Sequence, residues 1–274
     1  MIKGNIVLKY VVTFFILVIF ALQPAYAADA NTNADAGTER SSHVLQVTPY
    51  IWATGLKGDI SPFKRAPTVG VEKSFSDVMD DLNLGGFINL WGRYDNFVFS
   101  GDIMYVNTTE SRTIGPLPPL PAPVPPGAIL NGSIDSKQFT MALQGGYRVY
   151  DAQSFTLDVL AGMRFWHISN DVTVSAGPVS RNYSERFSWV DPVVGVRGFM
   201  PVTDRLSLQA QANIGGFGMG SDSTWSGLAT VNYLATDSLA VSAGYKMMDV
   251  DYSDDGHVYD VRLSGPVLGV TWRF

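Results

Sequence analysis

From residue 43 to the end of the chain, apolar and polar positions alternate with a period of two. In "SFTLDVLAGMRFWHI", Phe155, Leu157, Val159, Ala161, Met163 and Phe165 share one phase, and Thr156, Asp158, Gly162, Arg164 and Trp166 the other. In "RLSLQAQANIGGF", Leu206, Leu208, Ala210, Ala212 and Ile214 oppose Ser207, Gln209, Gln211 and Asn213. Successive side chains of a strand point to opposite faces, so each segment reads as a strand with one apolar face. The same pattern recurs in "HVLQVTPYIWAT", "LGGFINLWGRY", "NFVFSGDIMYVN", "SKQFTMALQGGYRVY", "RFSWVDPVVGVRGFM", "STWSGLATVNYL", "SLAVSAGYKMMDV" and "VYDVRLSGPVLGVTWRF". That makes about ten strands, with 8 or 12 the alternative counts. Each is near the length that crosses a bilayer at a tilt. No segment carries a long helical period.

The connections alternate in length. "YDN", "YDAQS", "PVTDR" and "ATDS" follow the even-numbered strands and are tight, whereas the odd-numbered strands lead into longer segments, including "GMGSD" and "DYSDDGH". Short turns at one end and long loops at the other predict an all-β, closed antiparallel transmembrane barrel with short periplasmic turns and longer extracellular loops. Aromatic placement favours lipid over water outside the barrel. On the apolar phase, Tyr94, Phe97, Tyr147, Phe155, Tyr233, Trp272 and Phe274 lie near the tight turns, and Tyr105, Phe139, Phe165, Trp225 and Tyr245 near the long loops. Two girdles bracketing an aliphatic band fit two membrane interfaces.

The N-terminus supplies an address. Lys3 and Lys9 precede an apolar run from Tyr10 to Leu22, then Pro24 and the small residues Ala25 and Ala27. This order predicts a signal peptide over 1–27, followed by a periplasmic leader over 28–42 and a barrel domain over 43–274. The apolar run is shorter than the roughly 18 residues of a spanning helix. The expected location is therefore the outer membrane of a Gram-negative bacterium. Removing Lys3 and Lys9 from the 19 Lys+Arg leaves 17 against 25 Asp+Glu. So acidic a chain argues against a nucleic-acid partner. With no cysteine there is no disulfide framework.

The last residues, Leu268, Val270, Trp272 and Phe274, keep the apolar phase to the end of the chain. They resemble the C-terminal signature that the barrel-assembly machinery recognises in bacterial outer-membrane proteins. "TPYIWATGLKGD", "FSDVMDDLNLG", "GYRVYD", "WVDPVVGVR", "IGGFGMGSDSTW" and "LSGPVLGVTWRF" together resemble a widespread, functionally uncharacterised family of proteobacterial outer-membrane β-barrel proteins, porin-like and OmpW-like small barrels. The resemblance covers nearly the whole chain after the signal peptide and implies a fold, lipid and lipopolysaccharide as surroundings, and the assembly machinery as a partner during biogenesis. It implies no activity and leaves the oligomeric state open. The Pro-rich segment 115–128 lies outside the family's pattern.

Function is then sought in the lumen, the irregularities and the loops. The inward phase carries Arg93, Arg148, Arg164, Arg197, Lys246 and Arg273 with Asp102, Asp158 and Asp191, and Trp52, Trp91, Trp166 and Gln144. A barrel of about eight strands is filled by its own side chains, and open pores need about sixteen. Ten strands predict a narrow or plugged lumen, in which the charges pair as a polar core or line a small-solute conduit favouring anions. Pro49, Pro192 and Pro266 fall on the lipid-facing phase of strands, where a missing ladder donor is costly. Each predicts a β-bulge, and the one at Pro266 would turn Asp260 and Arg262 inward. Alternatively, Pro49 and Pro266 weaken the closing seam and let an apolar ligand pass sideways.

The loops add further candidates. "SFSDVMDDL" predicts a short helix capped by Ser74 or Ser76. The Pro-rich segment reads as a stiff spacer or an adhesive loop. Asp249, Asp251, Asp254 and Asp255 offer oxygen ligands for calcium but lack the spacing of a calcium loop, so a solvated acidic turn is the expectation, with no metal and no cofactor. Asp249-x-Asp251 with Asp255-x-His257 is similar to the acid and Asp/His pairs of omptin proteases, and "HISN", with His167 and Ser169, to outer-membrane lipid A deacylases. The first two pairs share one hairpin instead of facing each other, and no acid follows the second at that family's spacing. The chain is therefore expected not to be an enzyme.

Overall fold

Strand alternation continues through almost the whole of the computed structural model, which describes residues 43–61, 63, 64, 67–114, 130–176 and 179–274. The segments predicted as signal peptide (1–27) and leader (28–42) and the Pro-rich segment 115–128 lie outside the described residues. In chain order the elements are β1 (His43–Trp52), β2 (Gly55–Ser61), β3 (Val69–Lys73), α1 (Phe75–Asp81), β4 (Leu82–Tyr94), β5 (Phe97–Ile114) and β6 (Leu130–Asp151), then β7 (Thr156–Ala176), β8 (Val179–Pro201), β9 (Leu206–Gly215), β10 (Ser223–Thr236), β11 (Leu239–Asp254) and β12 (His257–Arg273).

Ten antiparallel strands, β1 and β4 to β12, form a closed barrel, sealed where β1 pairs with β12. β2 and β3 form a hairpin outside this ring. β2 carries on the register of β1 along β12: Trp52 pairs with Val267, and Gly55 with Ser264. Turns of a few residues join β4 to β5, β6 to β7, β8 to β9 and β10 to β11, all at the end that holds His43 and Phe274. We call this the turn end. The chain terminus is fixed there, with Phe274 N donating to Leu45 O at 2.9 Å and Leu45 N to Phe274 O at 3.3 Å.

The apolar phase faces outward, as predicted. Leu90, Leu143, Val159, Met163, Val196, Leu208, Val231, Val241 and Leu268 form an exposed aliphatic band. Tyr94, Phe97, Tyr147, Tyr150, Tyr233 and Phe274 lie exposed at the turn end, with exposed Tyr245 and the half-buried Phe139/Phe165 pair farther up. An exposed apolar belt of this kind is the mark of a membrane or interaction surface.

Three expectations are corrected. The prolines are not bulges: Pro49 pairs with Ile88, Pro192 with Met163 and Pro266 with Tyr245 with no break in register. Each stands instead where the ladder on its other side is interrupted. β9 begins pairing with β8 only at Val193, and Pro266 lies opposite the step between β1 and β2. The β1–β12 rungs are missing between Val47 and Tyr50, around Pro49. A proline costs no hydrogen bond where no partner is waiting. Because register is kept, Asp260 and Arg262 stay on the outer face, where Arg262 Nε meets Asp249 Oδ2 at 2.8 Å.

The long connections also shrink. "DYSDDGH" is a tight hairpin in which Asp255 and Gly256 both take positive φ, 49° and 81°, as a two-residue turn requires. β7 and β8 run on as strand to Ala176 and Val179. Their Ser- and Thr-rich outer halves still alternate, and pairing satisfies the backbone whether or not lipid surrounds it. α1 is capped by Ser74, not Ser76: Ser74 Oγ accepts from Asp77 N, and Ser74 N donates to Asp77 Oδ2 at 2.9 Å.

Candidate functional site in the lumen

Towards the hairpin end, opposite the tight turns, inward-pointing aromatic side chains fill the barrel. Trp189 lies between Trp166 at 5.3 Å and Tyr252 at 4.0 Å, all three rings nearly parallel. Phe187 stacks on Trp189, Tyr252 and His257, and Tyr259 leans on Trp166 and Trp189. Met104, Met248, Val250, Val261 and Leu263 close the gaps. Trp166 and Val250 are 0 % exposed and Tyr259 1 %, so the side chains of this layer are closely packed. Tyr259 Oη donates to Gln138 Oε1 at 3.1 Å. "RFSWVD" and "YSDDGHVY" carry Phe187, Trp189, Tyr252 and Tyr259, but a two-residue period cannot tell that aromatic residues on four strands meet at one height.

Below the plug the lumen is polar. Lys246 Nζ donates to Tyr50 Oη at 2.6 Å and to Asp102 Oδ1 at 2.9 Å, and Tyr50 Oη donates to Asp102 Oδ2 at 3.0 Å. Asn89 adds a bond to Asp102 at 3.3 Å. Closer to the turn end, Asp158 accepts from Arg148 Nε at 2.8 Å and Arg197 Nη1 at 3.4 Å, while Arg197 Nη2 donates to Gln209 at 2.8 Å. Trp91 lies 4.3 Å from the Arg197 guanidinium and 5.8 Å from that of Arg148. Arg164 donates to Thr224 and Ser226, both at 3.1 Å. Asp191, across the ladder from Arg164, accepts from Ser221 N, Ser221 Oγ and Trp189 Nε1. Gln144 donates to Asn213 at 3.0 Å.

These networks border a cavity of about 100 Å³ that runs from Tyr50, Asp102 and Lys246 to Gln46, Asn232 and Arg273 at the turn end. A smaller space of about 30 Å³ lies behind it among Ser100, Gln144, Arg164 and Asn213. The inward phase read from the sequence thus places Asp102, Arg148, Asp158, Arg164, Trp166, Arg197 and Lys246 inside. Trp166 packs in the aromatic layer and not on the cavity. Arg93 is apart from the others at the rim, donating to Asp95 O at 2.9 Å. Tyr50, the hub of the Lys246 network, was not singled out by sequence, where Pro49 beside it drew the attention.

The loop candidates do not converge. Asp249 pairs with Arg262 on the outer face, Asp255 with Lys64 at the mouth, and among the described residues no group of three or more His, Asp or Glu is arranged to hold a metal. His167 Nδ1 is 2.7 Å from Ser188 Oγ on the outer face, not against Ser169. His257 Nε2 is 3.1 Å from Glu185 Oε1 but out of line for a hydrogen bond.

Beyond the aromatic layer, β5 to β8 continue as a four-stranded sheet. β7 and β8 have 21 and 23 residues, where about 9–11 suffice to cross a bilayer. β4 stops pairing with β5 at Thr108 and β9 with β8 at Val193, so this sheet stands above its neighbours with one edge on β8. At the other edge Lys73 of β3 holds both Asp81 of α1 and Glu110 of β5, closing the wedge between β3 and β5.

No family model matches the chain, and no curated protein matches it. Among solved structures, the outer membrane protease OmpT from Escherichia coli is similar with a TM-score of 0.50 at 10% identity, covering 85% of this chain and 97% of that one. The translocator domain of the autotransporter NalP from Neisseria meningitidis matches with a TM-score of 0.42 at 11% identity, over 85% and 89%. The chain has the fold of outer-membrane β-barrels.

Proposed function

We propose that the protein is an integral, non-catalytic barrel of the bacterial outer membrane that conducts no solute and acts as a surface-interaction protein through the sheet β5–β8. Its turn end faces the periplasm, lipid and lipopolysaccharide surround the apolar belt, and the Phe274 terminus addresses it to the barrel-assembly machinery. One observation carries the reading: β6, β7 and β8 run to 22, 21 and 23 residues, about twice what crosses a bilayer, beside an aromatic layer of Trp166, Trp189, Tyr252 and Tyr259 packed in the lumen. A conduit has no use for such projections and would need the plug to open.

The test is to shorten the hairpin. Asp171 and Ser184 are paired, so residues 172–183 can be replaced by Asp-Gly without touching the barrel. Bacteria carrying the full chain are expected to bind to host-cell or bacterial surfaces, and those with the short hairpin to lose that binding while the barrel stays folded on heat-modifiability gels. Equal binding by both would refute the reading.

A further inference from the structure

The buried charges of the lumen do not balance. Below the aromatic layer, and among the described residues, the inward-facing cations are Arg148, Arg164, Arg197 and Lys246 and the inward-facing carboxylates Asp102, Asp158 and Asp191, whereas Glu185 lies above it beside His257. Lys246 is matched by Asp102 in direct contact. Arg164 and Asp191 face each other across the β7–β8 ladder. Asp158 is left to serve both Arg148 and Arg197, whose side chains are buried alongside it. The surplus positive charge therefore belongs to this last cluster. Arg148 takes the closer bond, 2.8 Å, while Arg197 has the longer one, 3.4 Å, and otherwise leans on neutral Gln209 and the face of Trp91.

Arg197 lines the cavity of about 100 Å³. The lining also offers the hydroxyls and amide of Thr48, Thr230 and Asn89, and Arg273 is at the mouth. The one carboxylate on the cavity, Asp102, is already held by Lys246, Tyr50 and Asn89. A cleft with low-dielectric walls and one sign of charge concentrates counter-ions, and a buried charge without a counter-charge is strongly unfavourable. The volume is enough for several waters or one small polyatomic ion. We infer that this pocket binds a small oxyanion, of the size of sulfate, phosphate or a short carboxylate, against Arg197. The lining reaches the turn end at Gln46 and Arg273, the side from which the ion would enter. It does not depend on the surface-interaction reading.

Calorimetric titration of sodium sulfate into the full-length protein in neutral detergent, at low ionic strength and referenced to sodium chloride, tests this. One saturable site is expected, with affinity falling at least tenfold (about 1.4 kcal/mol) in Arg197→Gln. That substitution removes the surplus charge and leaves the Arg148–Asp158 pair. Arg262→Gln, on the outer face, is expected to bind like the unaltered protein. Independently of how any variant folds, crystals of the unaltered chain soaked in selenate should show anomalous density beside Arg197. Heat without saturation, an Arg197→Gln titration equal to the unaltered one, or selenate only elsewhere would each overturn the inference.

Discussion

Trp189 and Tyr252 stack with ring centroids 4.0 Å apart and an interplanar angle of 14°, although they come from β8 and β11, strands that do not pair. They meet inside the lumen, in the aromatic layer above the polar pocket.

Trp189→Ala is expected to cost about 3–5 kcal/mol, the usual range for emptying a buried aromatic site. It should also unblock the barrel. In planar bilayers the unaltered protein is expected to show no conductance steps and the variant discrete ones. Steps of equal size in both would mean that the aromatic layer is not the barrier.

Asp158→Asn leaves Arg148 and Arg197 buried together without their carboxylate. Breaking a buried ionic cluster in this way typically costs about 3–5 kcal/mol. The thermal midpoint should fall clearly, and restoring charge balance with Asp158→Asn plus Arg197→Gln should recover part of the loss. A midpoint unchanged in Asp158→Asn would show that solvent reaches these groups.

Deleting Phe274 removes the reciprocal pair of backbone bonds to Leu45. At about 0.5–1.5 kcal/mol each, these are modest for the folded state. The expected result is a barrel that refolds in detergent with slightly lower stability yet accumulates poorly in the membrane. Normal accumulation in cells would separate this terminus from assembly.

The α1 region, beyond the membrane-facing belt, is expected to loosen at both pH extremes. Hydrogen bonds from the Ser74 hydroxyl and then the Ser74 N–H hold the Asp77 carboxyl below its ordinary value. Its contribution is present above the ordinary aspartate value and is lost as pH falls through the lowered one. For Lys73, burial works against the charge, but the bonds to Asp81 and Glu110 outweigh it and raise the ammonium above its ordinary value. That contribution is complete below the ordinary lysine value and is lost as pH rises through the raised one. The chain has no cysteine, so a nitroxide on Asp80→Cys reports α1 alone. Its spectrum should be immobile near neutrality and mobile at either extreme; a pH-independent spectrum would count against the Ser74 cap and the Lys73 clip.

The period of two was sufficient for much of this. It assigned the ten barrel strands, the outward apolar phase, the tight-turn end and the inward charges, because burial in lipid or lumen acts on each side chain according to its parity along a strand. Parity put both Trp166 and Arg197 inside, yet could not tell that Trp166 packs in the aromatic layer while Arg197 borders the cavity. The prolines misled because a local rule, that a missing donor needs a bulge, ignores whether a neighbouring strand is there to accept or donate. Pro192 and Pro266 fall at gaps in the ladder that only the stagger of β9, β1 and β2 creates.

The sequence by itself determined which face each side chain takes, since that follows from chain geometry one residue at a time. Only the tertiary structure decided which inward residues share a level, and so placed Trp189 on Tyr252, gave Asp158 to two arginines and left Arg197 in surplus. The shear of a closed barrel sets those heights. Shear is a property of all ten strands closing together, and no single strand encodes it.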